Sequence, residues 1–278
     1  MSRILIITHT HDDFLNREYL LRSLMSHWTG AGHQVSVVEG TDHWPEADIA
    51  ILHVDLTVIP EAYCLAAQRY PVLINASTTD LRKSRYSRHL VRPGDSWRGP
   101  VIVKTELNCG GVPELRAAQL QQRHEGQIDS EDAINTFTVI EGTYPIFRSI
   151  DEVPDKLWQN PGIVAERFLP EQDQDEGYWM RAWVFLGDRE RCSRLRATKP
   201  VIRGNSIIAR EPAPVPDELR AVRERLGFDY GKFDFVVHDG KTILFDVNRT
   251  PHAPPAVPGI DIANAELARG LDSFLKER

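Results

Sequence analysis

The stretch ILFDVNRTP, Ile243 to Pro251, begins as a strand suited to burial and then carries a carboxylate at Asp246 and an amide at Asn248. Alternation along a strand puts Asp246 and Asn248 on one face and Phe245 and Val247 on the other. A second apolar run, FDFVV, lies just upstream, joined to the first around HDGK, and its Asp234 adds a third oxygen donor. Register decides whether the three converge. A two-residue Asp239-Gly240 turn pairs His238 with Lys241 and separates Asp234 from Asp246 onto opposite faces. A three-residue loop with Gly240 left-handed, or an equivalent bulge, restores a common face, and the sequence predicts one of these devices. Two carboxylates and an amide suit a hard cation, Mg2+ or Mn2+. Unpaired carboxylates among aliphatics are costly, which favours metal binding over a polar strand rim.

The chain has 278 residues, 41% apolar and 26% charged, enough for a large core divided between two or three lobes. Its longest apolar runs, such as Ile4 to Ile7 and Ile49 to Leu52, are too short to span a bilayer, and the amino terminus lacks a signal pattern, so a cytoplasmic protein without membrane partners is expected. Cys64, Cys109 and Cys192 show no metal-ligand spacing and fit reduced thiols. A net charge of -7 without a long basic block argues against nucleic acid as a partner.

RILIIT, QVSVV, ADIAILHVD and PVLIN read as strands that alternate with helices over Phe14 to Trp28, Glu61 to Arg69 and Asp80 to Leu90, the pattern of an open, largely parallel α/β sheet. RPGDSWRGP reads as a linker, so residues 1–95 form a first domain. The strand PVIVKT, the turn NCGGVPE, a helix from Glu114 to His124 and the strand GIVAERFL open a smaller second lobe, residues 96–165. Residues 166–278 form the third, with the strand YWMRAWVFLGD, strands near Arg194 to Thr198 and Asn205 to Ala209, a helix from Asp217 to Leu226 and the carboxylate hairpin.

Several cations and one acid stand out against this framework. Lys104 ends the strand VIVK, where an ammonium needs an anion or solvent, and phosphate is the natural candidate. Lys83 starts a helix and points to the same cleft or to solvent. Gly110 and Gly111 in NCGG supply backbone amides beside Lys104, although this is neither a P-loop nor GxGxxG. Glu166 ends an apolar strand and suits a nucleotide base or a salt bridge to an arginine. Arg181 alternates with apolar residues, sharing a face with Trp179 and Trp183, and suits a phosphate or a carboxylate. Arg203 and Arg249, with Arg196 and Lys199, are further candidates for γ-phosphate or substrate carboxylate contacts.

This order, two lysines, a glycine loop, a strand ending in Glu, an internal Arg and then D-x11-D-x-N, resembles the ATP-grasp superfamily over roughly Asn75 to Pro251. The first lobe resembles the α/β domain that precedes the grasp in those enzymes. The resemblance implies an ATP-grasp fold behind a Rossmann-like domain, α/β combined with α+β. It implies that Asp234, Asp246 and Asn248 hold magnesium and that Lys83, Lys104 and the Gly110-Gly111 loop contact ATP phosphates. Glu166 and the backbone of Arg167, Phe168 and Leu169 would hold adenine, and Arg181, Arg203 and Arg249 would serve the reacting groups. The implied reaction joins a small-molecule carboxylate to an amine. Two departures stand out. Trp179 occupies the place of the usual ribose-binding acid, leaving Glu176 or Glu171 for that role, and the glycine loop is sparse. Asp246 also replaces the commoner glutamate of the ExN signature.

Two rival readings accompany this one. His9 and His11 after the first strand suit a metal-dependent amidohydrolase, but the chain does not read as an eightfold barrel and its other metal ligands cannot be assigned. An ATP-binding module without ligase chemistry, acting through a partner, is permitted by the missing ribose acid and opposed by Lys104 and the complete D-x11-D-x-N.

Overall fold

The computed structural model describes residues 1–124, 144–173, 177–253 and 257–275. The first sheet contains β1 (Arg3–Thr8), β2 (Gln34–Glu39), β3 (Ile49–Leu52) and β4 (Leu73–Ile74), in the order β2-β1-β3-β4 and all parallel. Every residue from Ile4 to Ile7 and from Ile49 to Leu52 is fully buried, which is why these strands read as unbroken apolar runs rather than alternating ones.

Two helices differ from the expectation. The first starts at Leu20, not Phe14, and runs to Gly30. Residues before it are drawn into extended pairing: Tyr19 bridges His252, and the Leu20 amide donates to the Pro251 carbonyl at 2.9 Å. The helix expected over Asp80 to Leu90 is a single turn, Lys83–Tyr86, because Leu90–Val91 leaves as strand β5 and pairs with a later strand.

A second, antiparallel sheet has the order β5-β8-β6-β7, with β6 (Val101–Thr105), β7 (Ile146–Phe147) and β8 (Ile163–Arg167). The third comprises β9 (Glu171–Gln172), β10 (Tyr178–Leu186), β11 (Arg189–Ala197), β12 (Ile207–Pro212), β13 (Tyr230–His238) and β14 (Lys241–Asn248). Its order is β12-β11-β10-β13-β14, with β9 pairing β10. Trp183, Phe185, Phe233, Phe235 and Val247 pack as an aromatic core under one face. The other face is a cleft floor of Met180, Leu195, Val236 and Ile243.

The hairpin β13-β14 uses the bulge. His238 pairs with Lys241 around a two-residue turn in which Asp239 (φ 49°) and Gly240 (φ 73°) are both left-handed, the geometry of a tight primed turn. The register then slips: Phe235 pairs with Leu244, but Asp234 pairs with Asp246, so Phe245 is the inserted residue. The expectation of a three-residue loop is therefore corrected, while its alternative, a bulge, brings Asp234 directly opposite Asp246. The bulge also turns Phe245 onto the cleft face with Asp246, against simple alternation, and leaves Val247 in the core.

Candidate active site

The second and third sheets enclose a cavity of about 750 Å³, with Leu20 of the first lobe in its wall. Register places its charged residues in two adjacent rows across the large sheet. Asp246, Asp234 and Ala182 form one, and Asn248, Lys232 and Val184 the next. Asp234 is 6% exposed; its Oδ2 pairs with Lys232 Nζ at 2.8 Å, while its Oδ1 is buried with no hydrogen-bond partner among the described residues. Burial raises the Asp234 carboxyl above its ordinary value, and Asp246 adds to the shift against the opposing Lys232 charge. Burial opposes the charge on Lys232, but Asp234 and Asp246 outweigh it and hold the lysine above its ordinary value. Two facing carboxylates and one undonated buried oxygen form an all-oxygen set that fits a small divalent cation. The Asn248 amide oxygen accepts from the Thr250 amide at 2.8 Å and hydroxyl at 3.3 Å, so it is oriented, and partly used, by the turn that follows.

Lys83 and Lys104 reach the cavity from the opposite side. Lys83 Nζ donates to the Leu107 carbonyl at 2.9 Å; burial lowers its affinity for a proton, with Asp246 opposing. Lys104 Nζ lies 2.6 Å from Glu166 Oε2 and 3.3 Å from the Phe245 carbonyl. Burial alone would raise Glu166, but the Lys104 ammonium overrides it and holds the carboxyl below its ordinary value. The salt-bridge partner of Glu166 is thus Lys104 rather than an arginine. The NCGG loop follows Leu107: Cys109, Gly110 and Gly111 are left-handed in succession (φ 49°, 71° and 79°), a path that glycine makes inexpensive. Asn108 pins the loop, donating from Nδ2 to the Val247 carbonyl and from its backbone amide to Thr57 Oγ1, each at 2.9 Å. Gly110 lines the cavity and Gly111 is buried next to it.

Of the adenine candidates, Glu166, Arg167, Phe168 and Leu169 all line the cavity, yet the amides of Arg167 and Phe168 donate to the carbonyls of His89 (2.8 Å) and Pro100 (2.9 Å). Leu169 joins the apolar floor with Ile202, Ile207 and Phe245. Arg203 lines the cavity, whereas Arg181 and Arg249 do not. Arg181 lies on the back face, ion-paired with Glu171 and over the Phe235 ring, because Met180 and Ala182 take the cleft side of β10. Arg249 is 1% exposed and donates to the carbonyls of Val54, Leu56 and Thr78, tying the first lobe to the end of the hairpin. Glu171, a ribose candidate, lines the cavity but already accepts from Arg181, Arg194 and the Val237 amide. The other, Glu176, lies outside the described residues.

Sequence reasoning missed Lys232, Arg191 and Arg210, which also line the cavity. Lys232 was findable, since it stands two residues before Asp234 and so shares its face. One end is closed by Leu20 of the first lobe and by His252, which bridges Tyr19. There Tyr19 donates to Asp12 at 2.6 Å and to Asp55 at 2.9 Å, and Asp55 accepts from Thr250, linking this cluster to Asn248. His9 stacks on Tyr63 at 5.8 Å. Among the described residues no three His, Cys, Asp or Glu side chains gather as a metal cluster. No helix among the described residues is long and apolar enough to cross a membrane.

No protein-family model matches the sequence, nor does any curated protein. Solved structures do match it along its whole length. D-alanine–D-alanine ligase from Bacillus anthracis, solved with ATP, superposes with a TM-score of 0.53 at 13% identity, covering 99% of this chain and 97% of the ligase. An ATP-grasp RimK domain protein from Sphaerobacter thermophilus gives 0.52 at 13% identity, covering 97% and 99%. The chain has the ATP-grasp fold. The macrocyclase MdnC from Microcystis aeruginosa, solved with its precursor peptide MdnA, gives 0.51 at 12% identity over 98% and 100% of the two chains. In this ATP-grasp chain the antiparallel small sheet and the large sheet form the two jaws, with Lys104 and Glu166 on one and the Asp234-Asp246 pair on the other.

Proposed function

We propose that the protein is an ATP- and magnesium-dependent ligase that joins a carboxylate to an amine. The observation that carries this reading is the meeting of Lys83 and Lys104 with the Asp234-Asp246 pair in a single cavity floored by apolar side chains. That arrangement supplies a base-sized apolar surface, cations for phosphates and oxygens for a metal, without a nucleophilic Ser or Cys.

Magnesium held by Asp234 and Asp246, with Asn248 beside them, would neutralise phosphate charge. Lys83 and Lys104 bind the phosphate oxygens from the other jaw, and Lys104 exchanges part of its contact with Glu166 for them. Lys232, in the row next to the carboxylates, stands where it offsets charge at the transferred phosphoryl group. The substrate carboxylate oxygen bonds to the γ-phosphorus as the bond to the β-bridging oxygen breaks, giving an acyl phosphate and ADP. The amine then attacks the acyl carbon, phosphate leaves, and the amine loses its proton. Arg203, at the cavity wall, is the remaining cation for the acyl phosphate. Positioning and charge neutralisation account for the catalysis.

The test is a screen of acids paired with amines for ADP formation. The reading expects ADP release that requires both partners and magnesium. Confirmed ATP binding with no ADP from any pair across a broad panel would count against it and favour the module without ligase chemistry.

A further inference from the structure

The same cavity carries two arginines that the reaction above leaves unused. Arg191 in β11 lies across from Val184, which lies across from Lys232, so Arg191 stands in the Lys232 row two strand spacings away, about 10 Å at the backbone. Arg210 in β12 lies opposite Leu195 on the cavity side. Ser193, between Leu195 and Arg191 on that side, lies across from Ala182 in the carboxylate row.

What separates this pair from its neighbours is the lack of acid. Arg189, Arg194 and Arg196 in the same strand form ion pairs with Glu266, Glu171 and Asp173. Among the described residues neither Arg191 nor Arg210 has a carboxylate partner. Arg191 is instead oriented by a neutral group, donating at 2.7 Å to the amide oxygen of the buried Asn264. Burial, and then the Arg210 charge, hold Arg191 below its ordinary proton affinity, and burial does the same to Arg210. Two guanidiniums that disfavour one another, Arg191 held by Asn264 and Arg210 exposed on the edge strand, are stabilised by an anion that both can reach.

We propose that Arg191 and Arg210 form a subsite for a second anionic oxygen group, a carboxylate or a phosphate, carried by the substrate. This rests on the ligase reading of the cleft, which assigns the ATP phosphates to the other jaw and leaves this end, beside Leu20 of the first lobe and His252, for the molecule being joined. The reaction is therefore specific for a substrate with a charged group set apart from the one that reacts.

Calorimetry tests the proposal with glutarate and inorganic phosphate as probes, titrated into the full chain loaded with magnesium AMP-PNP so that the ATP phosphate positions are filled. One of the two probes is expected to bind, glutarate indicating a carboxylate and phosphate a phosphoryl group. Arg191→Met and Arg210→Met should each weaken it by about tenfold, and Arg191→Lys, which keeps the charge but loses the planar fork, by less. Failure of both probes to bind, or binding that Arg210→Met leaves unchanged, would overturn the proposal. A purely structural role for Arg191 would lower the melting temperature of Arg191→Met without moving probe affinity, and that result also overturns it. If AMP-PNP itself does not bind, the ligase reading falls, while the same titrations on the free protein still decide the arginine pair.

Discussion

Behind the cleft strands, Arg181 and Arg194 both pair with Glu171, which lines the cavity and also accepts the Val237 amide, and Arg194 lies 3.8 Å over the ring of Trp179, another lining residue. On the cleft face of the same strands, among the described residues, Asp234 has one oxygen with no donor, and Arg191 and Arg210 have no acid. The two faces carry similar residues and differ in closure. A network whose charges satisfy each other holds structure, and one left incomplete is finished by a ligand. Arg181 is instructive because its type and strand position suggest a phosphate contact, while its partners show that its charge is already used.

The largest effect is expected where a cleft charge is closed in the absence of ligand. Lys104→Met leaves Glu166, 2% exposed, as a buried carboxylate without its ammonium, and should cost about 3–5 kcal/mol in urea unfolding, with Lys104→Met/Glu166→Gln recovering part of it. Because the folded value of Glu166 lies below its ordinary 4.5, its ionised form contributes stability above about pH 4.5 that is lost as pH falls through the lower folded value. That acid sensitivity should be absent from Glu166→Gln.

Asp12, at the first-lobe end of the cleft, sharpens the contrast with the opposite sign. Burial, with Asp55, pushes its carboxyl up to about 6, against the hydrogen bond from Tyr19. Its contribution to stability is full below the ordinary 3.8 and is lost as pH rises through about 6. Thermal unfolding of Asp12→Asn against the unsubstituted chain should show a difference that changes between pH 4 and pH 6, by at most about 3 kcal/mol, and then levels off. A constant difference across that window would contradict the upward shift of Asp12.

The smallest effect belongs to the back face. Arg181→Met should lose about 1–2 kcal/mol of stability, since Glu171 keeps Arg194 and the Val237 amide, and should leave the affinity for magnesium AMP-PNP within about twofold. A tenfold loss of nucleotide affinity would return Arg181 to the site and break the distinction between the faces.

Much of this is legible in the sequence. The strand runs of the first sheet, Lys104, Glu166 and the three hairpin donors come from local patterns: continuous apolar stretches for strands covered on both sides, and isolated charges where apolar residues were due. The errors arose where pairing between distant segments overrode local preference. Tyr19 is held extended by His252, which shortens the first helix, and Leu90–Val91 is claimed by β8, which shortens another. The bulge at Phe245 was one of two devices that sequence parity required, but its position depends on the turn geometry at Asp239 and Gly240. Arg249 was misread for a related reason: the carbonyls of Val54, Leu56 and Thr78 that it closes lie far away in sequence.

The central claim is that the cleft face, opened by the Asp234-Asp246 pair, is completed by magnesium and nucleotide. Calorimetric binding of AMP-PNP with and without magnesium, to the unsubstituted chain and to Asp246→Asn, tests it most directly. The account predicts magnesium-dependent binding that Asp246→Asn weakens by about 10²-fold or more while the melting temperature holds. Equal affinity without magnesium, or an Asp246→Asn chain that binds as tightly as the original, would contradict it.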